Sequence, residues 1–495
     1  MYSKKLIGTV GTSVLASAFL LEKNFNKNKM EKNPDKPKIE NTFTYDEVSK
    51  HNINNNIWVT YKENVYDISK FINNHPGGKD KIMLAAGKGL EPYWNTYKQH
   101  TNNPSIIKDI LEPMKIGTLK DYNPDKYKDI NDPYINDPNR DTDLKFHSVS
   151  PCNAETPKDS IMDNWITPNE LWYIRNHHPV PIINPKDFKL NISTKDSTLN
   201  LSLDDLKKLK SKKVITTIQC GGNRRGGLND IEKTSGTPWS FGAISTAEWE
   251  GISLRDILLT SGVTDKKVLD GKVKHIQFEG EEGVKSSIPA EKAMNIYGDV
   301  ILAYKMNGEE IPRDHGYPLR LIVPGHVGIR NIKWVKNIKT STEEAEGTWQ
   351  RGISYKGLPH YIKDVKKVNI DKVAAIQELP VQSCIVSVEK DENDVIVKGF
   401  AWSGGGRGII RVDVSVDSGV NWQMADLKEG SEQPLNKAWA WTFWQTKFKK
   451  DDINSKMELY CKATDSSYNV QPEKLEYAWN IRGLNNNSWH KLFEL

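Results

Sequence analysis

"VITTIQCGGNRRGG", Val214 to Gly227, sets an apolar, β-branched run against a glycine-rich loop. Val214–Ile218 reads as a buried strand, because β-branched side chains fit a pleated, covered surface. Past it come four glycines, the thiol of Cys220, and two consecutive arginines, Arg224 and Arg225. A thiol beside permanent cations is expected to ionise more readily than a free cysteine, and both arginines, like Arg175 in "YIRNHHPVP", are expected to offer planar donors to an oxyanion. A thiolate is either a nucleophile or a metal ligand. The nucleophilic reading needs a histidine base, and His177, His178, His315 and His326 are the candidates. Sequence alone sets none of them beside Cys220. Metal ligation, nucleophilic catalysis and an inert buried cysteine all stand at this point.

The rest of the chain narrows the setting. It has 495 residues, enough for about three domains that each bury a core. Its four cysteines, Cys152, Cys220, Cys384 and Cys461, are far apart, which excludes a CxxC redox pair and a disulfide scaffold. Cys152, Cys384 and Cys461 read as small buried hydrophobes. The net charge of +5, from 69 Lys+Arg against 64 Asp+Glu, is too small to argue for nucleic acid.

At the N-terminus, Lys4 and Lys5 precede an apolar run from Leu6 to Leu21. It is short for a membrane span and reads as a targeting segment over 1–23. "ASA" at Ala16–Ala18 also resembles a secretory cleavage site, so secretion is the alternative. Residues 24–41 are rich in Asn, Lys and Pro and read as a disordered spacer.

Three folded regions follow. In the first, 42–122, "IWVTYKENVYDI" predicts a hairpin of Ile57–Tyr61 and Val65–Ile68 about a polar turn. "SKFINNHPGG" predicts a short helix from about Ser69 that stops before Pro76. His75 stands at its end, and His100 follows 25 residues later. Two histidines flanking amphipathic segments raise metal or haem ligation as a reading. A polar hinge is expected at 123–130. The second region, 131–367, mixes strands such as Leu319–Val323 with helical stretches such as Ser202–Leu209, where Ser202 is the expected cap. Its loops interleave Gly, Pro and cations, as in "YIRNHHPVP" and "RDHGYPLRLIVPGHVGIRNIKW". Such loops suit a polyanionic cofactor, since backbone N–H groups can approach phosphate closely. The third region, 368–495, alternates apolar residues: Ile410, Val412, Val414 and Val416 inward, then Trp439, Trp441 and Phe443. This predicts an immunoglobulin-like β-sandwich. Its one conspicuous cation is Arg482, in "WNIRG".

Taken with these motifs, residues 42–120 resemble cytochrome b5 through "HPGG" at His75–Gly78 and the second histidine. Residues 131–495 resemble the sulfite oxidase family through "RNHHPVP", "QCGGNRR", "RDHGYPLRLIVPG", "WQRGISYKG" and "WNIRG", in that order. The resemblance implies a multidomain α+β chain of animal type: a cytochrome b5-like domain, a mixed α+β molybdopterin domain and an immunoglobulin-like dimerisation domain. It further implies haem b between His75 and His100, and a molybdenum–molybdopterin cofactor whose metal takes the sulfur of Cys220. By the same resemblance, Arg175, Arg225 and Arg482 line the sulfite pocket, with Tyr355 beside the substrate. Tyr173, Ile174, Arg175, Asn176, His177, His315, Arg320, Asn331, Ile332 and Lys333 match positions that contact the pterin. Glu282, in a shortened "FEGEEGVKSSIP", is the equivalent of the family's aspartate near the cofactor. Gly221 stands where the family has alanine, a change expected to matter little. The implied reaction is sulfite plus water to sulfate, two electrons and two protons. The electrons would pass through the haem to cytochrome c, in a homodimer of the mitochondrial intermembrane space. The alternatives are a nitrate reductase-like molybdoenzyme and a b5-type electron carrier without molybdenum activity. Nitrate reductases carry cytochrome b5 after the molybdenum domain and add a flavin domain, and this chain ends at Leu495 with neither.

Overall fold

The computed structural model describes residues 41–53, 55–72, 75, 79–96, 106–124, 133–452 and 458–492. The expected targeting segment, nearly all of the spacer, most of the hinge, and His100 lie outside the described residues. The chain divides into two compact units, Met1–Tyr127 and Lys128–Leu495.

In the first unit the predicted hairpin forms, with Asn56–Tyr61 paired antiparallel to Asn64–Asp67. Lys62 takes a positive φ of 53° at its turn. The hairpin lies within a five-stranded sheet completed by Thr42–Phe43, Lys115–Leu119 and Asn52–Ile53. Ile57 and Val59 bury one face of the hairpin against Ile68, Trp94 and Leu111. The helix expected from about Ser69 does not begin there: Ser69–Phe71 form a turn, Ile72 is the first residue with a helical backbone, and 73–74 lie outside the described residues. The Ser69 hydroxyl donates to Asp67 Oδ1, and its Oγ accepts from Ile57 N at 2.9 Å. That local bonding competes with helical hydrogen bonds. His75 follows, half-buried, with its ring edge-on to Phe71 at 5.9 Å.

The second unit joins the molybdopterin-type region and the sandwich in one body. One five-stranded sheet runs Thr198–Ser202, Lys189–Ser193, Val335–Ser341, His275–Gly280, Lys285–Pro289. Ser202 caps the helix Leu203–Lys208 by accepting from Asp205 N, as predicted. A second sheet runs Ser211–Gln219, Ile244–Ser253, Ile301–Met306, Glu309–Glu310, and Arg320–Ile322 pairs with Ile301–Met306. Ser211–Gln219 contains the predicted Val214–Ile218 run and lies at the edge of its sheet. An uncovered edge invites further pairing. Here Thr217 N donates to Trp439 O at 3.1 Å, and Trp441 N to Thr217 Oγ1 at 2.8 Å. The sandwich therefore grips the strand that ends at Cys220. Trp439 packs into the same cluster as Ile218, Cys220, Trp239 and Trp249.

The sandwich has two four-stranded sheets. One is Gln382–Lys390, Asp394–Trp402, Thr442–Lys449, Asp426–Leu427; the other is Gln423–Met424, Ile409–Ser415, Leu459–Asp465, His490–Leu492. Val412, Val414 and Val416 are buried as expected, but Ile410 is exposed and Ile409 is buried instead. A register shift between Ile409 and Arg411 changes the phase of the alternation there. Trp439, Trp441 and Phe443 are buried, and so are Ala440, Thr442 and Trp444 between and after them. Both faces of this segment are covered, because the molybdopterin-type region packs on one side and the sandwich core on the other.

Candidate active site

Cys220 follows the last residue of its strand and is held by its N–H to Ala243 O at 3.0 Å. The loop then turns tightly, with Asn223 N donating to Cys220 O at 2.9 Å and Arg225 N to Gly222 O at 3.0 Å. The two arginines part company. Arg224 adopts a left-handed φ of 62° and points away, donating to Ser488 O at 2.7 Å and Trp489 O at 3.1 Å. It ties down the C-terminal segment, which corrects the expectation that both arginines serve an anion. Arg225 folds back over the loop instead. A Cβ at Gly222 would lie 2.5 Å from its guanidinium, so only glycine permits this approach. Its Nε donates to the carbonyls of Arg482 and Gly483 at 3.2 and 3.1 Å, and its Nη1 to Thr237 O at 2.8 Å.

These bonds bring Arg482 from the sandwich region to the Cys220 loop. Arg482 donates weakly to Ser235 Oγ at 3.3 Å, and its buried Nε has no acceptor among the described residues. Tyr355 comes from the "WQRGISYKG" loop, in the short turn Ile353–Tyr355, and is buried. An added Cβ on Gly221 would sit 3.6 Å from Tyr355 Cε1 and 3.1 Å from Val327 Cγ2. Tyr355 thus lies against the residue next to Cys220, with room for about one methyl group between them. Arg175 reaches the group from the strand Ile174–Arg175, where Asn153 Oδ1 accepts from its Nη1 at 2.8 Å. Burial first, and then the charge of Arg175 and Arg482, pushes the Arg225 guanidinium down, while Cys220 and Tyr355 oppose this. Burial and the nearby Cys220 push the Tyr355 hydroxyl up against the pull of the arginines.

A cleft adjoins this cluster. Of the residues singled out in the sequence, Tyr173, Arg175, His177, Cys220, Glu282, His315, Arg320, Asn331, Ile332, Lys333 and Tyr355 line it. Ile174 does not; it packs with Leu144, Cys152 and Ala154. Asn176 lies behind the wall, where its Oδ1 accepts from Lys333 Nζ. Trp172, Val284, Asp314, Gly328 and Ile329 also line the cleft and were not singled out. Asp314 and Gly328 lie inside the quoted loop motif, so position in the motif was a usable signal. Trp172 and Val284 carry no chemical signal of their own. Glu282 stands 3.5 Å from His178 Nδ1, an ion-pair distance.

The cleft sets the cations Arg175, Arg320 and Lys333 against two carboxylates, Glu282 and Asp314, and several of its buried donors are unpaired among the described residues. Arg320 lies near the rings of Trp172 and Trp249, and its Nη1 donates to His315 O at 3.0 Å. Arg320 Nε and Trp172 Nε1 are buried without an acceptor among the described residues. Burial, assisted by Arg320 among its neighbours, pushes Lys333 down to about 8, and burial pushes Arg320 down to about 10. Buried donors without partners carry a cost that an anionic ligand relieves. This donor set fits a phosphate-bearing pterin. Among the described residues no group of three or more His, Cys, Asp and Glu could hold a metal ion. Among the described residues, Cys220 is the one sulfur lining the cleft.

Comparison with known proteins agrees with this architecture. Residues 44–120 match the model for a cytochrome b5-like heme/steroid binding domain. Residues 177–349 match an oxidoreductase molybdopterin binding domain, and 372–493 a Mo-co oxidoreductase dimerisation domain. Among curated proteins, the mitochondrial sulfite oxidase of Rattus norvegicus is 42% identical over 460 residues, covering 90% of this chain and 82% of that protein. The sulfite oxidase of Gallus gallus is 40% identical over 462 residues, covering 91% of this chain and 99% of that one. Among solved structures, the sulfane dehydrogenase SoxCD from Paracoccus pantotrophus matches with a TM-score of 0.56 at 26% identity, covering 69% of this chain and 83% of that one. The cytochrome b5-like domain, the molybdopterin domain and the dimerisation domain, in that order and at this identity, show that the chain belongs to the sulfite oxidase family.

Proposed function

We propose that the chain oxidises sulfite to sulfate at a molybdenum–molybdopterin group in the cleft, with Cys220 supplying the protein's sulfur to the metal. The observation that carries this reading is the convergence of Arg175, Arg225, Tyr355 and Arg482, from four distant stretches, around Cys220. The bound group supplies oxygen-atom transfer and accepts two electrons. The chain's own contribution is position and charge. Arg175, Arg225 and Arg482 bind the sulfite dianion and hold its sulfur toward the metal. The arginine charge is in place before reaction, so little reorganisation is needed as sulfate forms. Tyr355 donates its hydroxyl proton in a hydrogen bond to a substrate oxygen, and burial keeps that proton on the phenol. Arg320, Lys333 and His315 hold the anionic end of the pterin.

In the first unit, His75 and His100 are proposed as the two ligands of haem b. Two imidazoles leave the iron without an open position, which suits electron transfer rather than substrate binding. Cytochrome c is the proposed acceptor, in the mitochondrial intermembrane space, with the active chain a homodimer. A nitrate reductase reading is disfavoured by domain order, since the cytochrome b5-like match precedes the molybdopterin match.

The test is metal analysis of the purified full chain together with its sulfite response. About one molybdenum and one haem iron per chain, with sulfite bleaching the oxidised haem spectrum, is the expected result. A chain loaded with both groups whose haem does not respond to sulfite would overturn the proposal.

A further inference from the structure

Two carboxylates line the cleft, Glu282 and Asp314, and Asp314 sits where a negative charge should be a liability. Asp314 is buried among residues that otherwise favour an anion, and a bare carboxylate would repel phosphate. It is not bare. Arg140 grips it with both arms of its guanidinium, Nε to Oδ2 at 2.9 Å and Nη2 to Oδ1 at 3.0 Å. Both side chains are less than a tenth exposed. Burial works against the charged carboxylate, yet the hydrogen bond and charge of Arg140 hold Asp314 below the usual range.

The contact is passed inward. Asn176 Nδ2 donates to Asp314 Oδ1 at 2.7 Å, and Asn176 Oδ1 accepts from Lys333 Nζ. Lys333 Nζ also donates to Asp314 O at 2.9 Å and Arg175 O at 3.2 Å. Arg140 itself lies outside residues 177–349, on a segment fixed by Asp137 Oδ1 accepting from Val180 N at 2.9 Å and by Arg313 Nη1 donating to Asn136 O at 2.9 Å.

We propose that Arg140 is a positioning residue for the cofactor cleft: it cancels the charge of Asp314 and, through Asp314 and Asn176, fixes the Lys333 ammonium in the cleft wall, where its charge faces the pterin's anionic end. This rests on the reading of the cleft as the molybdopterin site. Arg140 touches neither substrate nor cofactor. A purely structural role, pinning the 133–143 segment, makes a different prediction. If Arg140 only pins the segment, removing the charge of Asp314 as well cannot repair its loss. If Arg140 acts by neutralisation, it can.

The experiment measures pterin, released by acid oxidation and read by fluorescence, and molybdenum per chain in the full-length protein. Losing one partner of a buried pair leaves an uncompensated charge, so Arg140→Met should hold at least about tenfold less pterin than the unmodified chain. Arg140 also donates to Asp137 Oδ2 at 2.8 Å, away from the cleft lining, so Arg140→Met/Asp314→Asn still leaves Asp137 without Arg140 but removes the charge stranded in the cleft, and it should recover at least about half of the pterin. Wild-type pterin content in folded Arg140→Met overturns the inference, and so does a double variant as empty as the single one. If Arg140→Met does not fold, the double variant decides alone: folded and loaded supports the inference, folded and empty overturns it, and unfolded assigns Arg140 to the structural role. An unmodified chain that holds no pterin from a cofactor-producing host overturns the reading of the cleft itself, and this inference with it.

Discussion

Arg482 carries the sharpest consequence at the scale of single residues. It is contributed by the dimerisation domain, yet its carbonyl accepts from Arg225 and its buried Nε has no acceptor among the described residues. That nitrogen is available to an anion. A charge-assisted hydrogen bond contributes about 1.5–3 kcal/mol, so Arg482→Gln should raise the KM for sulfite about tenfold or more. Arg482→Lys keeps the charge but loses the planar fork and should fall between. Steady-state kinetics on molybdenum-loaded protein check both; an unchanged kcat/KM in Arg482→Gln removes the residue from the pocket. The Gly- and Pro-rich loops marked Cys220, Arg175 and Arg225 in the sequence, whereas Tyr355 and the meeting of all four were expectations of the family resemblance alone. The divergence of Arg224 from Arg225 was not legible. It depends on a left-handed backbone at Arg224 and on carbonyls more than 250 residues away, at Ser488 and Trp489.

Elements meet where the sandwich grips the molybdopterin domain, and there the fold is sensitive to acid. His490 begins the strand His490–Leu492, and its Nδ1 accepts from Ile385 N at 3.1 Å. Burial, then the charges of Arg224 and Lys158, pushes its pKa down to about 3. The unfolded chain binds a proton at this histidine below about pH 6.5 while the native one does not. The stabilising difference is therefore complete above about 6.5 and is lost as pH falls toward 3, by about 1.4 kcal/mol per pH unit at full slope. His490→Asn keeps an acceptor for Ile385 N at the position of Nδ1 without titrating. Its denaturant midpoint should fall less between pH 7 and 5 than that of the unmodified chain; parallel curves would contradict the assignment. At this scale the hairpin near Ile57 and the cap at Ser202 were readable, since local pattern and local bonding decide both. The phase at Ile410 was not, because the register shift belongs to the pairing with Leu459–Asp465 rather than to the strand's own sequence. The Ser69 turn escaped for a similar reason, as its hydroxyl bonds replace a helical start. The Arg140–Asp314 contact was invisible too: it spans 174 residues, and each partner alone looks like an ordinary surface charge.

The whole molecule is two compact units, and their proposed division of labour is separable. Residues 131–495 retain the complete cleft together with Arg482, so this fragment should oxidise sulfite with ferricyanide, a small acceptor, at a rate close to that of the full chain. It should reduce cytochrome c poorly, because His75 and His100 are missing. Equal loss of both activities would contradict the proposed electron route. The central claim, that Cys220 is the protein's one sulfur ligand to molybdenum, is tested most directly by sulfite-dependent reduction of ferricyanide in Cys220→Ser, purified full length with the haem spectrum as the control for the first unit. The account predicts an intact haem spectrum and loss of essentially all sulfite oxidation; turnover near that of the unmodified chain would contradict it.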